Sequence, residues 1–141
     1  MRVFLAIAVL TATSILPSHA QEAAEPAGLS IELNALQPAD VGCRMTFLAI
    51  NGFATELDRA SVETALFDAS GGIERIVTLD FKGLSPGKTK VLQFELAGLD
   101  CADLGRVLVN DITACEGEGL ESGSCLAGLS TSARADVEFG V

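Results

Sequence analysis

The chain has 141 residues, with 9 Lys and Arg against 19 Asp and Glu, four Cys, no Trp, no Tyr and a single His. A formal net charge of −10 is repelled by phosphate backbones and anionic headgroups, which argues against nucleic acid and membrane surfaces as partners. The one His, His19, lies in a stretch that reads as removable, so Ser-His-Asp and Cys-His catalysis, His-ligated metals and His acid–base chemistry are excluded from what remains.

Residues 1–20 read as a secretory signal peptide. Arg2 supplies a positive start, residues 3–16 are an uncharged apolar run, Pro17 breaks it, and Ser18-His19-Ala20 puts small residues at −3 and −1 of a cleavage site. The alternative, a membrane anchor, asks for about 20 apolar residues, and this run is shorter. No twin Arg precedes it, so export through the general secretory route is expected. The expected location is therefore periplasmic or secreted. Cleavage leaves all 19 carboxylates and removes Arg2, which takes the charge to −11.

Residues 21–28 (QEAAEPAG) read as a flexible lead-in. Residues 29–141 are expected to form one domain. Within it the apolar period is two. Leu29, Ile31, Leu33 and Ala35 alternate with polar residues. Cys43, Met45, Phe47 and Ala49 share a face before the turn dipeptide Asn51-Gly52. A short helical turn is expected around Leu57-Asp58-Arg59-Ala60. Strands follow at Val62 to Leu66, at Ile73 to Phe81, at Leu92 to Leu96, at Val107 to Ile112 and at Val137 to Val141. Ala69-Ser70-Gly71-Gly72 reads as a hairpin turn, and Ser85-Pro86-Gly87 reads as a type II turn with Gly at its third position. Seven short strands without crossover helices exclude a parallel sheet. The expected fold is all-β: a seven-stranded antiparallel sandwich of immunoglobulin or fibronectin III style, with a small barrel or jelly roll as the alternative.

A resemblance follows from several segments taken together. A Cys heads the second strand. After it come F-x-x-x-N-G (Phe47 to Gly52), A-L-F-D-A-x-G (Ala65 to Gly71), L-x-P-G (Leu84 to Gly87) and C-A-D-L-G-R-V-L-V-N (Cys101 to Asn110). This succession resembles a group of small exported alphaproteobacterial proteins labelled as Tat pathway signal sequence domain proteins. The label implies export and carries no activity. More loosely, A-L-F-D-x-x-G followed by L-x-P-G is similar to immunoglobulin-like bacterial domains, which implies a module that binds or spaces other proteins.

Cys43, Cys101, Cys115 and Cys125 are an even set in a small exported chain and read as two disulfides. The second and fifth strands, as antiparallel neighbours, bring Cys43 beside Cys101, which leaves Cys115 for Cys125. No C-x2-C pair and no His accompany them, so zinc is not expected. Glu116, Glu118 and Glu121, between the last two Cys, offer carboxylates for calcium, but their spacing departs from the EF-hand pattern. Asp100 and Asp103 read as turn formers and a possible helix cap. No catalytic residue, cofactor or metal is assigned, because no nucleophile–base arrangement is recognisable. Phe47, Phe67, Phe81, Phe94 and Phe139 read as core, and Phe53 beside its turn reads as a satellite core contact or, if exposed at the loop tip, as an interaction candidate. The run ending in Val137, Phe139 and Val141 reads as a sheet edge open to strand addition. The expected function is a non-catalytic interaction or structural module of the cell envelope with an envelope protein as partner. The alternative is a calcium-binding or small carboxylate-dependent enzyme of the periplasm.

Overall fold

The computed structural model describes residues 27–141; the signal peptide expected at residues 1–20 and most of the lead-in lie outside them. The described chain is all-β. Its strands are β1 (Leu29–Ala39), β2 (Gly42–Asn51), β3 (Leu57–Asp68), β4 (Ile73–Leu84), β5 (Thr89–Ala97), β6 (Leu104–Glu116), β7 (Ser130–Ala133) and β8 (Glu138–Gly140). A 3-10 turn, Cys101–Asp103, links β5 to β6, and a one-turn helix α1, Ser124–Ala127, precedes β7. Sheet A has the order β5-β2-β1-β7 and sheet B the order β4-β3-β6-β8.

The period-two faces are the inner faces. Leu29, Ile31 and Leu33 of β1 and Cys43, Met45, Phe47 and Ala49 of β2 are buried. They meet Val62, Leu66, Leu79, Phe81 and Val107 from sheet B in one core. Phe47 stands at its centre, edge-on to Phe81, Phe94 and Phe139 with centroids 5.7, 5.9 and 5.7 Å away. Such edge-to-face contacts add to what burial alone contributes.

Three expectations are corrected. Among the described residues there are eight strands. The unforeseen one, β7, is the segment STSA, which has no apolar alternation to reveal it. It exists through its pairing with Ser30–Leu33 of β1. Nor is the sandwich wholly antiparallel: β7 runs parallel to β1, and β8 parallel to β6. Each parallel strand is only three or four residues long and is delivered by a chain that crosses between the sheets. The helical turn around Leu57 to Ala60 is absent, because β3 begins at Leu57. Leu57 and Ala60 are both fully buried, and register shifts on either side of Ala60 put two residues three apart on the same face. A β-bulge thus imitates helical spacing.

The turns hold as read. Gly71 and Gly87 take positive φ, at 89° and 68°. Asn51 does more than a turn residue. It is fully buried, its Nδ2 donates to the carbonyls of Thr55 and Leu84, each at 2.9 Å, and its Oδ1 accepts from the Phe53 N–H at 2.9 Å. The Asn51 carbonyl also accepts from the Gly87 N–H at 2.8 Å. One side chain thereby fastens the β2–β3 link to the end of β4.

Candidate functional site

The cysteines pair as the strand order requires. Cys43 is bonded to Cys101 and Cys115 to Cys125, with Cα separations of 5.0 and 5.8 Å. Antiparallel pairing of β2 with β5 sets Cys43 opposite Leu96, and the 3-10 turn then carries Cys101 back over it. Asp100 caps that turn, accepting from the Ala102 N–H at 2.9 Å. Two disulfides are compatible with an oxidising, exported location. Among the described residues no helix is long and apolar enough to cross a membrane.

The acidic loop does not assemble. Glu116, Glu118 and Glu121 are exposed, and among the described residues no group of three Asp, Glu, His or Cys side chains is placed to hold a metal ion. The interaction candidates divide. Phe53 is half-buried and packs against the core. Phe139 is buried and Val137 packs against the core, so of the C-terminal run only Val141, 70% exposed, offers its side chain to solvent. The run does form the edge strand β8 of sheet B.

Phe67 is corrected in the other direction: it lies outside the core. Leu66 is fully buried, so Phe67, one residue on, faces the opposite side of the sheet. The register then builds an outer surface on sheet B. One row across the strands is Ile76, Ala65, Leu108 and Gly140, and the next is Ile73, Phe67, Arg106 and Glu138. Ile73 is 64% exposed and Ile76 55%. The Arg106 guanidinium lies 5.8 Å from the Phe67 ring centroid, and its Nε is 3.6 Å from Glu138 Oε1 with no hydrogen-bond partner of its own. Of these, the aromatic ring and the Arg are residue types enriched where proteins meet, and the two isoleucines add exposed apolar area beside them. Sequence reasoning missed this surface. The signal was present: with Val77, Leu79 and Phe81 on the inner face, Ile76 must point outward.

The outer edges of β4 and β5 are occupied by basic side chains. Lys90 of β5 donates its Nζ to the Phe81 and Gly83 carbonyls of β4, at 3.2 and 2.9 Å. Arg75 of β4 returns the contact, donating to the Ala97 carbonyl of β5 at 2.8 Å. Asp80 accepts from both the N–H and the Nζ of Lys82, at 3.0 and 2.9 Å, and from Arg59 at 3.2 Å. These donors, the Lys82 ammonium foremost, hold the Asp80 carboxyl down at about 2. They also support Lys82 itself in a left-handed conformation, φ 61°. Asp68 is likewise held below the usual carboxylate range, by Ser70 and the backbone of Gly72 across the β3–β4 turn.

At the end of the sandwich that carries this turn, two open depressions meet at Cys101. One, of about 510 Å³, is lined by Ala35, Leu36, Leu104, Ala135, Asp136 and Val137 among others. The second, of about 370 Å³, runs past Pro38, Ala39, Leu99 and Asp100.

No protein-family model matches the chain, and comparison with curated proteins and with solved structures gives no match.

Proposed function

We propose that this chain is an exported, non-catalytic interaction or structural module of the cell envelope, and that the outer face of sheet B is where it meets an envelope protein. The observation that carries the reading is the joint exposure of Ile73 and Ile76 in neighbouring rows of one sheet face, whereas Val41, Val91, Leu126 and Val141 are exposed on separate elements. Neither isoleucine serves the core, and together with Phe67 and Arg106 they form one surface instead of scattered apolar positions. Cleavage after Ala20 and a single domain over residues 29–141 belong to the same reading, as does the resemblance to small exported alphaproteobacterial proteins.

We further infer an immunoglobulin or fibronectin III relationship. The half-sheets β5-β2-β1 and β4-β3-β6 support it, with consecutive strands shared between two sheets as in such sandwiches. The parallel course of β8 beside β6 is a departure from that pattern.

The test is photo-crosslinking in the exporting cell, with a photoreactive residue in place of Ile76 and, as control, in place of Gln93 on sheet A. A discrete adduct from position 76, absent from position 93 and abolished by Ile73→Asp, is the expected result. Equal adducts from both positions, or none from 76, overturn the proposal. Intact mass of the exported protein checks the cleavage: loss of residues 1–20 is expected.

A further inference from the structure

Strand edges in a sandwich invite pairing with other chains, and each edge here ends differently. The outer edges of β4 and β5 carry the Lys90 and Arg75 contacts between the sheets. The outer edge of β6 is covered by β8 at Arg106–Leu108. Beyond that it is broken by register shifts opposite Ser61/Val62 and Glu63/Thr64, and Cys115 ties α1 to its end. β7 and β8 present outer edges of only four and three residues, and β1 keeps a longer open stretch. β7 pairs with it only from Ser30 to Leu33, after which the N–H groups of Arg134 and Ala135 both donate to the Leu33 carbonyl and the chain leaves for sheet B. From Ala35 to Ala39, β1 keeps an unbroken register with β2 and has no partner on its other side among the described residues.

That stretch runs along the two depressions that meet at Cys101. Pro38 lies in it and removes one donor, which confines new pairing to residues 35–37. Leu36, Leu104 and Val137 are apolar residues in the lining of the larger depression. Asp136 lines the larger depression and Asp100 the smaller, and Asp103 sits in the same 3-10 turn as Cys101. The cations of this end are Arg134, two residues before Asp136, and Arg75, whose guanidinium is held by the Ala97 carbonyl beside Gly98.

We propose that residues 35–37 of β1 accept a short extended segment of a basic partner polypeptide as an added strand, in line with β7. Backbone hydrogen bonds set its register, alternate apolar side chains enter between the sheets onto Leu36 and Leu104, and Lys or Arg side chains face Asp100 and Asp136. Charge selects the occupant. The chain's own lead-in carries Glu22 and Glu25, and a second copy brings a net charge of −10, so both are repelled. This goes beyond the sheet B contact and uses a different surface.

The probe is a nonapeptide of alternating Lys and Val, titrated into the isotope-labelled protein and followed by amide chemical shifts. Expected are shifts confined to residues 35–37 and 135–137, an affinity that weakens with salt, and about a threefold loss for Asp136→Asn, the effect of one exposed charge pair. The same peptide with N-methyl groups on one strand edge should bind at least about tenfold more weakly, because it keeps charge and side chains and loses the backbone pairing. Equal binding of the N-methylated peptide overturns the proposal. So do shifts centred elsewhere, or none at millimolar peptide. Shifts centred on Ile73 and Ile76 would refute the groove while leaving the sheet B proposal standing, and the crosslink at position 76 tests that one independently.

Discussion

Asn51 offers a direct test of how the links at one end of the sandwich are held. Its side chain is fully buried and satisfies three backbone groups, the carbonyls of Thr55 and Leu84 and the N–H of Phe53. A typical hydrogen bond contributes about 1 kcal/mol net, so Asn51→Ala is expected to cost about 3 kcal/mol. Water can reach the half-buried Thr55 and Phe53 in the space left behind, which keeps the figure from rising further. Asn51→Asp separates this account from simple loss of volume. The substitution keeps the acceptor for Phe53 but turns a carboxylate oxygen towards two carbonyl oxygens. Its cost at pH 7 is expected to exceed that of alanine despite the near-identical shape. The new carboxyl would have its folded pKa raised, because only the protonated form donates to a carbonyl. Its destabilisation is therefore smallest below the unfolded value of about 3.9 and grows as pH rises above it. Guanidinium denaturation at pH 3 and pH 7, with disulfides intact and far-UV circular dichroism as the probe, reads both effects. Asn51→Asp more stable than Asn51→Ala at pH 7, or a loss below about 1 kcal/mol for alanine, would refute the reasoning.

Phe47→Ala, at the meeting point of Phe81, Phe94 and Phe139, is expected to cost about 5 kcal/mol, the upper end for a buried Phe, and more than Phe139→Ala on the three-residue edge strand; denaturation midpoints of the two variants compare them. Replacing Cys43 and Cys101 by Ala should destabilise by about 4 kcal/mol and replacing Cys115 and Cys125 by about 3, on the chain-entropy account of loops with sequence separations of 58 and 10; the reverse order in thermal melts would count against that account. Asp80, with its carboxyl held at about 2, adds stability that is complete above about pH 4 and disappears as pH falls towards 2, so Asp80→Asn should flatten the acid limb of a stability–pH curve and leave pH 7 to 9 unchanged in slope.

Period two was enough to read the inner faces of β2, of β4 from Val77 to Phe81, of β5, and of β1 as far as Leu33; beyond it a register shift between Leu33 and Ala35 brings Leu36 onto the core in place of the expected Ala35. The cysteine pairing was readable from the same alternation: once β2 and β5 are neighbours, Cys43 has one reachable partner. What escaped were features made by pairing and bulges. β7 has no apolar signal, and its four residues are a strand only because Ser30–Leu33 offer an edge. The bulged start of β3 mimics a helical turn. Ile76 is legible as outward once Val77, Leu79 and Phe81 are taken as the inner face, whereas Ile73 joins it only through the register shift between Leu66 and Phe67. The groove at Cys101 could not be read at all, since it depends on where β7 stops beside β1.

The distribution of basic side chains explains why the acid excess matters for the groove. Of the eight Lys and Arg that follow Arg2, most are committed within the fold. Arg44 pairs with Glu95, Arg59 and Lys82 with Asp80, Arg75 with Glu74, and Arg106 with Glu138. Lys90 is held by the β4 carbonyls. Among the described residues this leaves Lys88, near the β4–β5 turn, and Arg134, in the β7–β8 link, with neither an ion pair nor a side-chain hydrogen bond. The cations guard edges and steady a bulge, and at the Cys101 end Arg134 in the β7–β8 link and Arg75, which reaches Ala97 and Gly98, stand against Asp40, Asp100, Asp103 and Asp136. A basic segment approaching that end meets a field that screens over about 8 Å at physiological salt, so charge contributes to affinity chiefly through the rate of encounter. Retention then depends on what the unpaired stretch of β1 and the apolar lining residues provide. Salt should therefore act mainly on the association rate of a Lys-Val peptide, and N-methylation mainly on its dissociation rate. Stopped-flow or surface-based kinetics separate the two, and a salt effect carried by dissociation would place the binding energy in the charges instead of the strand.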